Sequence, residues 1–424
     1  MSDRKSAVAG KVIVEKKGRR LGVLLAVLVA LVMAATCLLY YFDVSPFSFD
    51  LGGNFKHYSL PDVAYSDGDL RVHFLNVGQG DSMLLELPDG RNMLIDAGGN
   101  NNTTADKIRS YIKKQKIDTI DIGMLTHSDA DHCGGFARVI DDPEITFLSM
   151  YQPLLKADPA KTSKCYVADK FNGYTADESA MTDQNRIPVL NSFKDAQIQS
   201  VTTVAYASFI GAVADEVVSV GGEVIFSYQG QVIEGEDYSL TLYNPNYDMY
   251  RNVGTAQQKN NVSPVMVLEF SGRKILLTGD ADDVAETNYL INSAAAGVKK
   301  VDVLKVGHHG SQYSSSKIFL AQTKPDFSVI SSGKNNYGHP TRETLGRLSA
   351  IGSKVFRTDE KGDIVLTVSG KDMGWKFYRD GNAYSEAGDY VEESEAAFKP
   401  NPIFCAMPVY SYARFRVSSR FHAA

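Results

Sequence analysis

The chain has 424 residues, 44% of them hydrophobic and 22% charged, with 44 basic and 50 acidic side chains and a net charge of −6. That composition excludes a disordered, collagen-like or low-complexity chain and allows one large core or two smaller ones. Four cysteines (Cys37, Cys133, Cys165 and Cys405) are too few and too scattered for a disulfide framework, although a single Cys165 to Cys405 bridge stays open.

Residues 1–20 form a basic tail with Arg4, Lys5, Lys11, Lys16, Lys17, Arg19 and Arg20 against Asp3 and Glu15. Leu21 to Phe42 is uncharged and mostly apolar, long enough for a transmembrane helix, which needs about 20 residues. Basic flanks stay cytoplasmic, so the pattern predicts a single-pass signal anchor in a bacterial cell membrane, with everything after Asp43 extracytoplasmic. The competing reading is a cleaved signal peptide with Ala34-Ala35-Thr36 as its small-residue site, but such peptides usually have an apolar core of about 7 to 15 residues. Thr36 is bulky for the position before a lipidated Cys37. Residues 1–43 hold seven basic and three acidic side chains, so the remainder carries 37 basic and 47 acidic ones, a net charge of −10. A general polyanion binder is thereby excluded, because Lys and Arg supply most nonspecific affinity for phosphates.

A linker over 43–68, marked by Pro46, Gly52, Gly53, Pro61 and Gly68, leads into strands at Leu70 to Asn76, Ser82 to Leu87 and Asn92 to Ile95, the last two joined by a Pro88-Asp89-Gly90 turn. Helical spacing runs from Thr104 to Lys116, with Ile108, Tyr111 and Ile112 on one face. A short apolar strand, Asp121 to Leu125, precedes Thr126-His127-Ser128-Asp129-Ala130-Asp131-His132, and a helix follows through Phe136 to Ile140. Residues 151–235 contain no histidine and read as an insertion. Strands resume at Tyr238 to Tyr243, Val265 to Phe270 and Lys274 to Leu277, followed by helix Asp282 to Ile291 and strand Val301 to Val306. Helix Ser315 to Ala321, strand Phe327 to Ile330, helix Thr341 to Ala350 and strands near Val355, Ile364 and Trp375 complete the domain, 69–380, before a C-terminal tail over 381–424. Two strand-rich blocks with accompanying helices predict two sheets packed face to face with helices outside.

Polar residues concentrate where these strands end. In extended chain His127, Asp129 and Asp131 point the same way, and the turn into the next helix swings His132 toward them. Imidazole suits zinc, and carboxylates also admit manganese. Asp96 ends a strand before Gly98 and Gly99; Asp280 ends another, where an N-cap is the ordinary role for such an aspartate. His308-His309-Gly310-Ser311 follows Val301 to Val306, and Asn335 to Pro340, with His339, follows Phe327 to Ile330. His57, His73 and His422 lie elsewhere and read as structural or surface residues.

In order, Phe74-Leu75-Asn76-Val77-Gly78-Gln79-Gly80-Asp81-Ser82, Leu94-Ile95-Asp96-Ala97-Gly98, the His127 to His132 motif, Asn260-Asn261-Val262-Ser263, Thr278-Gly279-Asp280, Lys305 to Ser311 and Tyr337-Gly338-His339-Pro340 resemble the metallo-β-lactamase fold, specifically the hydrolase domain of ComEC competence proteins. The resemblance spans about residues 70 to 370. It implies an α/β protein, an αβ/βα sandwich holding two divalent metal ions, zinc or manganese. By similarity His127 and Asp129 serve one metal, Asp131 and His132 the other, and Asp280 bridges them. One of His308 and His309 completes the second site while its neighbour faces the substrate; Asp81, Asp96, Asn261 and Ser263 support the site.

The sequence departs from the fold's usual pattern in two ways. Asp129 stands at the second histidine of His-x-His-x-Asp-His, which favours a harder ion, and no histidine lies between His132 and His308. The first metal therefore has few nitrogen ligands and is either held weakly, completed by water or groups near Asn261 and Ser263, or absent. Asn76 stands where the branch commonly has Asp. The implied activity is a metal-dependent hydrolase, a phosphodiesterase or DNase using a metal-activated water, with Asp131 and His339 as catalytic candidates beside the spare histidine at 308 or 309. The implied partners are the membrane, a phosphodiester such as DNA, and envelope or DNA-uptake proteins. Hydrolysis of cell-wall or small phosphoesters is the alternative enzyme reading, and a metal-poor binding module the non-enzymatic one.

Overall fold

The computed structural model describes residues 63–384 apart from 159, 162–169, 172–173, 176–199, 252, 299 and 380–381. The basic tail, the predicted membrane span, most of the linker and residues 385–424 lie outside the described residues, as do Cys37, Cys165, Cys405, His57 and His422. Among the described residues no helix is long and apolar enough to cross a membrane.

Two large sheets carry the fold. In the eleven-stranded sheet, Leu70–Phe74 pairs antiparallel with Met83–Glu86 on one side and with Asp363–Ser369 on the other. Outward from Met83–Glu86 come Asn92–Ile95, Ile122–Met124, Ser149–Gln152 and Glu223–Phe226, running parallel from Asn92–Ile95 onward. Residues 151–235, predicted to be an insertion, supply this edge of the sheet and helix Val204–Ala212. The seven-stranded sheet begins with an antiparallel meander, Val232–Glu234, Tyr238–Asn244, Val265–Phe270 and Arg273–Leu277, and continues with parallel Val303–Lys305, Phe327–Ile330 and Lys354–Arg357.

Side-chain alternation explains the layering. In Val265–Phe270, Met266, Leu268 and Phe270 face the inter-sheet core with Val72, Phe74, Leu85 and Ile95, whereas Val265 and Val267 pack outward against Tyr289, Phe319 and Leu348. A strand buried on both faces reads as a continuous apolar run, and each such side chain contributes roughly 1.5–3 kcal/mol. Helix Asn102–Lys114 covers the first sheet with Ile108 and Ile112; it starts two residues before the predicted Thr104 because Asn101 caps it, its Oδ1 accepting the Thr104 N–H at 2.8 Å. The result is the predicted αβ/βα sandwich.

The parallel strands of the two sheets end at one edge. There Gly279 takes a left-handed φ of 51°, and a Cβ on it would lie 3.0 Å from Ser263 and Thr126. Gly80 does the same for the first hairpin, since a Cβ would sit 2.4 Å from the Asp131 carbonyl oxygen. Glycine at 279 lets the site loops of the two sheets touch, and glycine at 80 lets two loops of the first sheet touch.

Candidate metal centre

Five turns deliver the site. Thr126 to Cys133 leaves Ile122–Met124 and enters a short helix, Ala130–Cys133, whose first cap residue, Asp129, makes no side-chain capping bond and so keeps its carboxylate for the site. Asp96, His308 and His309 adopt left-handed φ values of 58°, 49° and 53°. For residues with a Cβ such backbone costs on the order of 1–3 kcal/mol, and it clusters at functional sites.

His132 and His309 face each other across the sheets, Nε2 to Nε2 at 3.3 Å. Both Nδ1 atoms are committed: His132 Nδ1 lies 2.7 Å from Asp96 Oδ2, and His309 Nδ1 donates to the Ser331 carbonyl at 3.0 Å. Neutral rings held this way direct two Nε2 lone pairs at one point, as a hydrogen bond to the far ring nitrogen does for metal-ligating histidines. Around that point, Asp280 Oδ1 is 3.2 Å from His132 Nε2, Asp280 Oδ2 is 3.4 Å from His309 Nε2, and Asp131 Oδ2 is 3.4 Å from His309 Nε2. Ligands at about 2.0–2.2 Å from a tetrahedral ion sit about 3.3–3.6 Å apart, so His132, His309 and Asp280 fit a divalent metal, with Asp131 beside His309. Asp280 Oδ1, buried and without a hydrogen bond, is an open ligand atom.

The second position is looser. His127 Nε2, also buried and unpartnered, lies 4.0 Å from Asp129 Oδ2 and 3.9 Å from Asp280 Oδ2, while its Nδ1 contacts Thr126 Oγ1 at 3.1 Å. Ser263 Oγ is 3.4 Å from His127 Nδ1 and accepts the Asp280 N–H at 3.2 Å, so it positions both residues. Asn261 is one step removed: its Oδ1 accepts the N–H groups of Asp282 and Ala285 at the start of helix Asp283–Ala295. The N-cap of that helix is Asp282, which frees Asp280 from the ordinary capping role.

His309, 1% exposed, belongs to the tight cluster, and His308 does not. The His308 side chain is 23% exposed, its Nδ1 lies 3.1 Å from Asp282 Oδ1, and its Nε2 is 3.8 Å from Asp280 Oδ2. With Asp129 and Asp131, 30% and 35% exposed, it lines the open face. His339 stands farther out, its ring 5.3 Å from that of His308 and 5.8 Å from that of exposed Tyr337. Asp81 carboxylate oxygens approach the cluster, Oδ1 lying 3.6 Å from His309 Nδ1, but the group forms a fully buried ion pair with Lys305 at 2.7 Å. We therefore place Asp81 behind the ligands. Asn76 Oδ1 accepts the Gly78 N–H, a local turn contact. His73 is structural, bridging Glu86 and Tyr111 at 2.8 and 2.9 Å.

The electrostatics call for a cation. Burial would lower His132, but the Asp280 and Asp96 carboxylates outweigh it and hold it well above its ordinary value. His309 is likewise raised against burial by Asp280 and by its contact with Asp131. Burial opposes ionisation of Asp280, yet His132, His309 and His308 keep it well below the usual carboxylate range. His308 is pushed up to about 9, Asp280 and Asp282 overcoming burial, whereas burial and the charges of His308 and His309 lower His339 to about 4. His127 is lowered by burial and by His132.

Lys259, Asp282 and Ser331 were not singled out from the sequence, and Thr126, Asn260 and Lys305 stood in the quoted motifs without a role. One signal was present for Lys305: a lone lysine in an otherwise apolar strand needs a buried partner.

Residues 75–146 match the metallo-beta-lactamase superfamily. The chain is 28% identical over 315 residues to ComE operon protein 3 of Bacillus subtilis, covering 70% of this chain and 33% of that protein. It is 39% identical over 104 residues to competence protein ComA of Neisseria gonorrhoeae, covering 24% and 15% of the two chains. With recombination protein 2 of Haemophilus influenzae it shares 37% over 106 residues, 25% and 13% of the two. The chain thus spans about a third or less of the length of these curated relatives. Among solved structures, the metallo-beta-lactamase fold protein YhfI from Bacillus subtilis aligns at 10% identity over 71% of this chain and all of that one, with a TM-score of 0.38. Igni18, a metallo hydrolase from Ignicoccus hospitalis, aligns at 14% identity over 70% of this chain and all of its own, with a TM-score of 0.37. The superfamily match and the likeness to these competence and recombination proteins support a ComEC-like metallo-β-lactamase hydrolase domain.

Proposed function

We propose that this protein is a metal-dependent phosphodiesterase, anchored by Leu21 to Phe42 and working outside the cytoplasm, with DNA as its leading substrate. The observation that carries the reading is a closed ligand cluster, His132, Asp280 and His309, beneath an open face lined by Asp129, Asp131 and His308. Metals held by His132, Asp131, Asp280 and His309, and by His127 and Asp129, would supply Lewis acidity and an activated water. Asp131, kept ionised by His309 and His132 against its partial burial, orients the attacking water through the half-buried carboxylate it turns to the open face. His308, aligned by Asp282, is the group placed to donate a proton from Nε2 to the departing oxygen. That geometry favours His308 over His339 for the acid role. The competence and recombination proteins among the relatives support DNA as substrate. A net charge of −10 outside the first 43 residues favours the second reading, small or cell-wall phosphodiesters. Uptake or envelope partners belong to the DNA reading.

The test incubates the purified full chain with manganese or zinc and either single-stranded DNA or bis(4-nitrophenyl) phosphate, beside Asp280→Asn. Metal-dependent consumption that the variant loses supports the proposal, and the preferred substrate separates the two readings. Intact DNA and intact diester with both metals would refute it.

A further inference from the structure

Lys259 and Asn260 span the mouth of the site between Asp129 and His308. A capping box sets the short helix Ala256–Asn260: Thr255 Oγ1 accepts the Gln258 N–H at 3.2 Å and Gln258 Oε1 accepts the Thr255 N–H at 2.9 Å. The helix carries Lys259 Nζ to 3.7 Å from Asp129 Oδ1. Asn260 is 5% exposed; its Nδ2 lies 3.3 and 3.5 Å from the two His308 ring nitrogens, and its Oδ1 is buried without a hydrogen-bond partner.

A structural role does not explain the contact of Lys259 with Asp129. An ion pair between two side chains that are each more than a quarter exposed adds little stability. A cation beside a carboxylate suited to a metal also competes with that metal, a disadvantage unless the cation serves something else. Asn260 has a structural partner, since its amide turned over lets Oδ1 accept from the His308 ring. Lys259 borders the open face, and an anionic substrate arriving there would meet the carboxylates of Asp129 and Asp131.

We propose that Lys259 binds the anionic group of the substrate, its ammonium pairing with a non-bridging phosphoryl oxygen, while Asn260 holds the His308 ring beside it. The inference rests on the phosphodiesterase reading and adds the residue that selects anions. It also gives Lys259, in a stretch that holds no histidine, a role in substrate binding.

The test measures binding of dimethyl phosphate, an anion, and trimethyl phosphate, its neutral counterpart, to the manganese-loaded full chain, with steady-state kinetics on bis(4-nitrophenyl) phosphate alongside. Lys259→Met is expected to reduce the preference for the anion about tenfold and to raise KM about tenfold with kcat changed less than threefold, while Lys259→Arg restores both to within about threefold. An unchanged preference in Lys259→Met, or a loss that arginine does not rescue, overturns the proposal. If the wild type hydrolyses no phosphodiester yet Lys259→Met still loses its anion preference, the phosphodiesterase reading fails and the anion seat stands.

Discussion

Asp96→Asn isolates what the hydrogen bond behind His132 does for the metal. Asp96 Oδ1 accepts the Thr126 N–H at 2.8 Å, and Oδ2 accepts the Thr126 hydroxyl at 2.7 Å and faces His132 Nδ1 at 2.7 Å. An asparagine keeps one oxygen for the Thr126 N–H and places an NH2 group where Oδ2 was. The Thr126 hydroxyl can rotate to accept from it, so the three hydrogen bonds persist and the fold loses their charge assistance, on the order of 1 kcal/mol. His132 has no such freedom. Its Nδ1 must become the acceptor, which moves the ring proton to Nε2, the atom 3.3 Å from His309 Nε2 and 3.2 Å from Asp280 Oδ1. A protonated Nε2 cannot ligate a metal, so binding must first reverse the tautomer. Loss of such a partner typically costs 10- to 100-fold in metal affinity, about 1.4–2.7 kcal/mol. Titration calorimetry with manganese and zinc measures the affinity, and circular dichroism with thermal melting checks the fold. Affinity within twofold of wild type in a folded Asp96→Asn protein would refute the argument that Asp96 sets the His132 tautomer.

The two adjacent histidines should separate cleanly: His309→Gln loses tight metal binding, whereas His308→Gln keeps it and slows turnover by about 10²- to 10⁴-fold, the usual contribution of a general acid. Equilibrium dialysis beside kinetics distinguishes them, and equal metal loss in both would contradict the placement of His308 on the open face. Apparent metal affinity should rise with pH above 6.5, because carboxylates raise His132 and His309 so that a metal must displace their protons; calorimetry in buffers of different ionisation enthalpy counts the protons released. Glu286 concerns stability instead. Its carboxylate accepts the N–H groups of Ser315 and Ser316, and burial pushes it up to about 7 from 4.5. Between pH 4.5 and 7 the native state holds a proton that the unfolded state has released, so stability falls as pH rises through that window, by about 3 kcal/mol at full effect. Denaturant titrations at pH 5 and 7.5 should show that slope in the wild type and a flatter one in Glu286→Gln.

Residue order alone determined the layered α/β architecture and the ligand types. Apolar runs such as Val265 to Phe270 and Phe327 to Ile330 are long enough only for strands buried on both faces, and each ends in a polar turn because the chain leaves the core there. His127, Asp131, His132 and the pair at 308 and 309 stood out as candidates because imidazoles and carboxylates at strand ends have little packing reason to be there, whereas Asp280, which by itself reads as an N-cap, became a candidate only through the resemblance. The division of labour was not. Adjacent residues in left-handed backbone point to different sides, and only the packing of the second sheet against the first brings His309 Nε2 to His132 while leaving His308 with Asp282. Asp282, Asn260 and Lys259 acquire meaning in the same way. Each is an ordinary helix-end residue in the sequence, and its role depends on a distance to a group in another part of the chain that local spacing cannot encode.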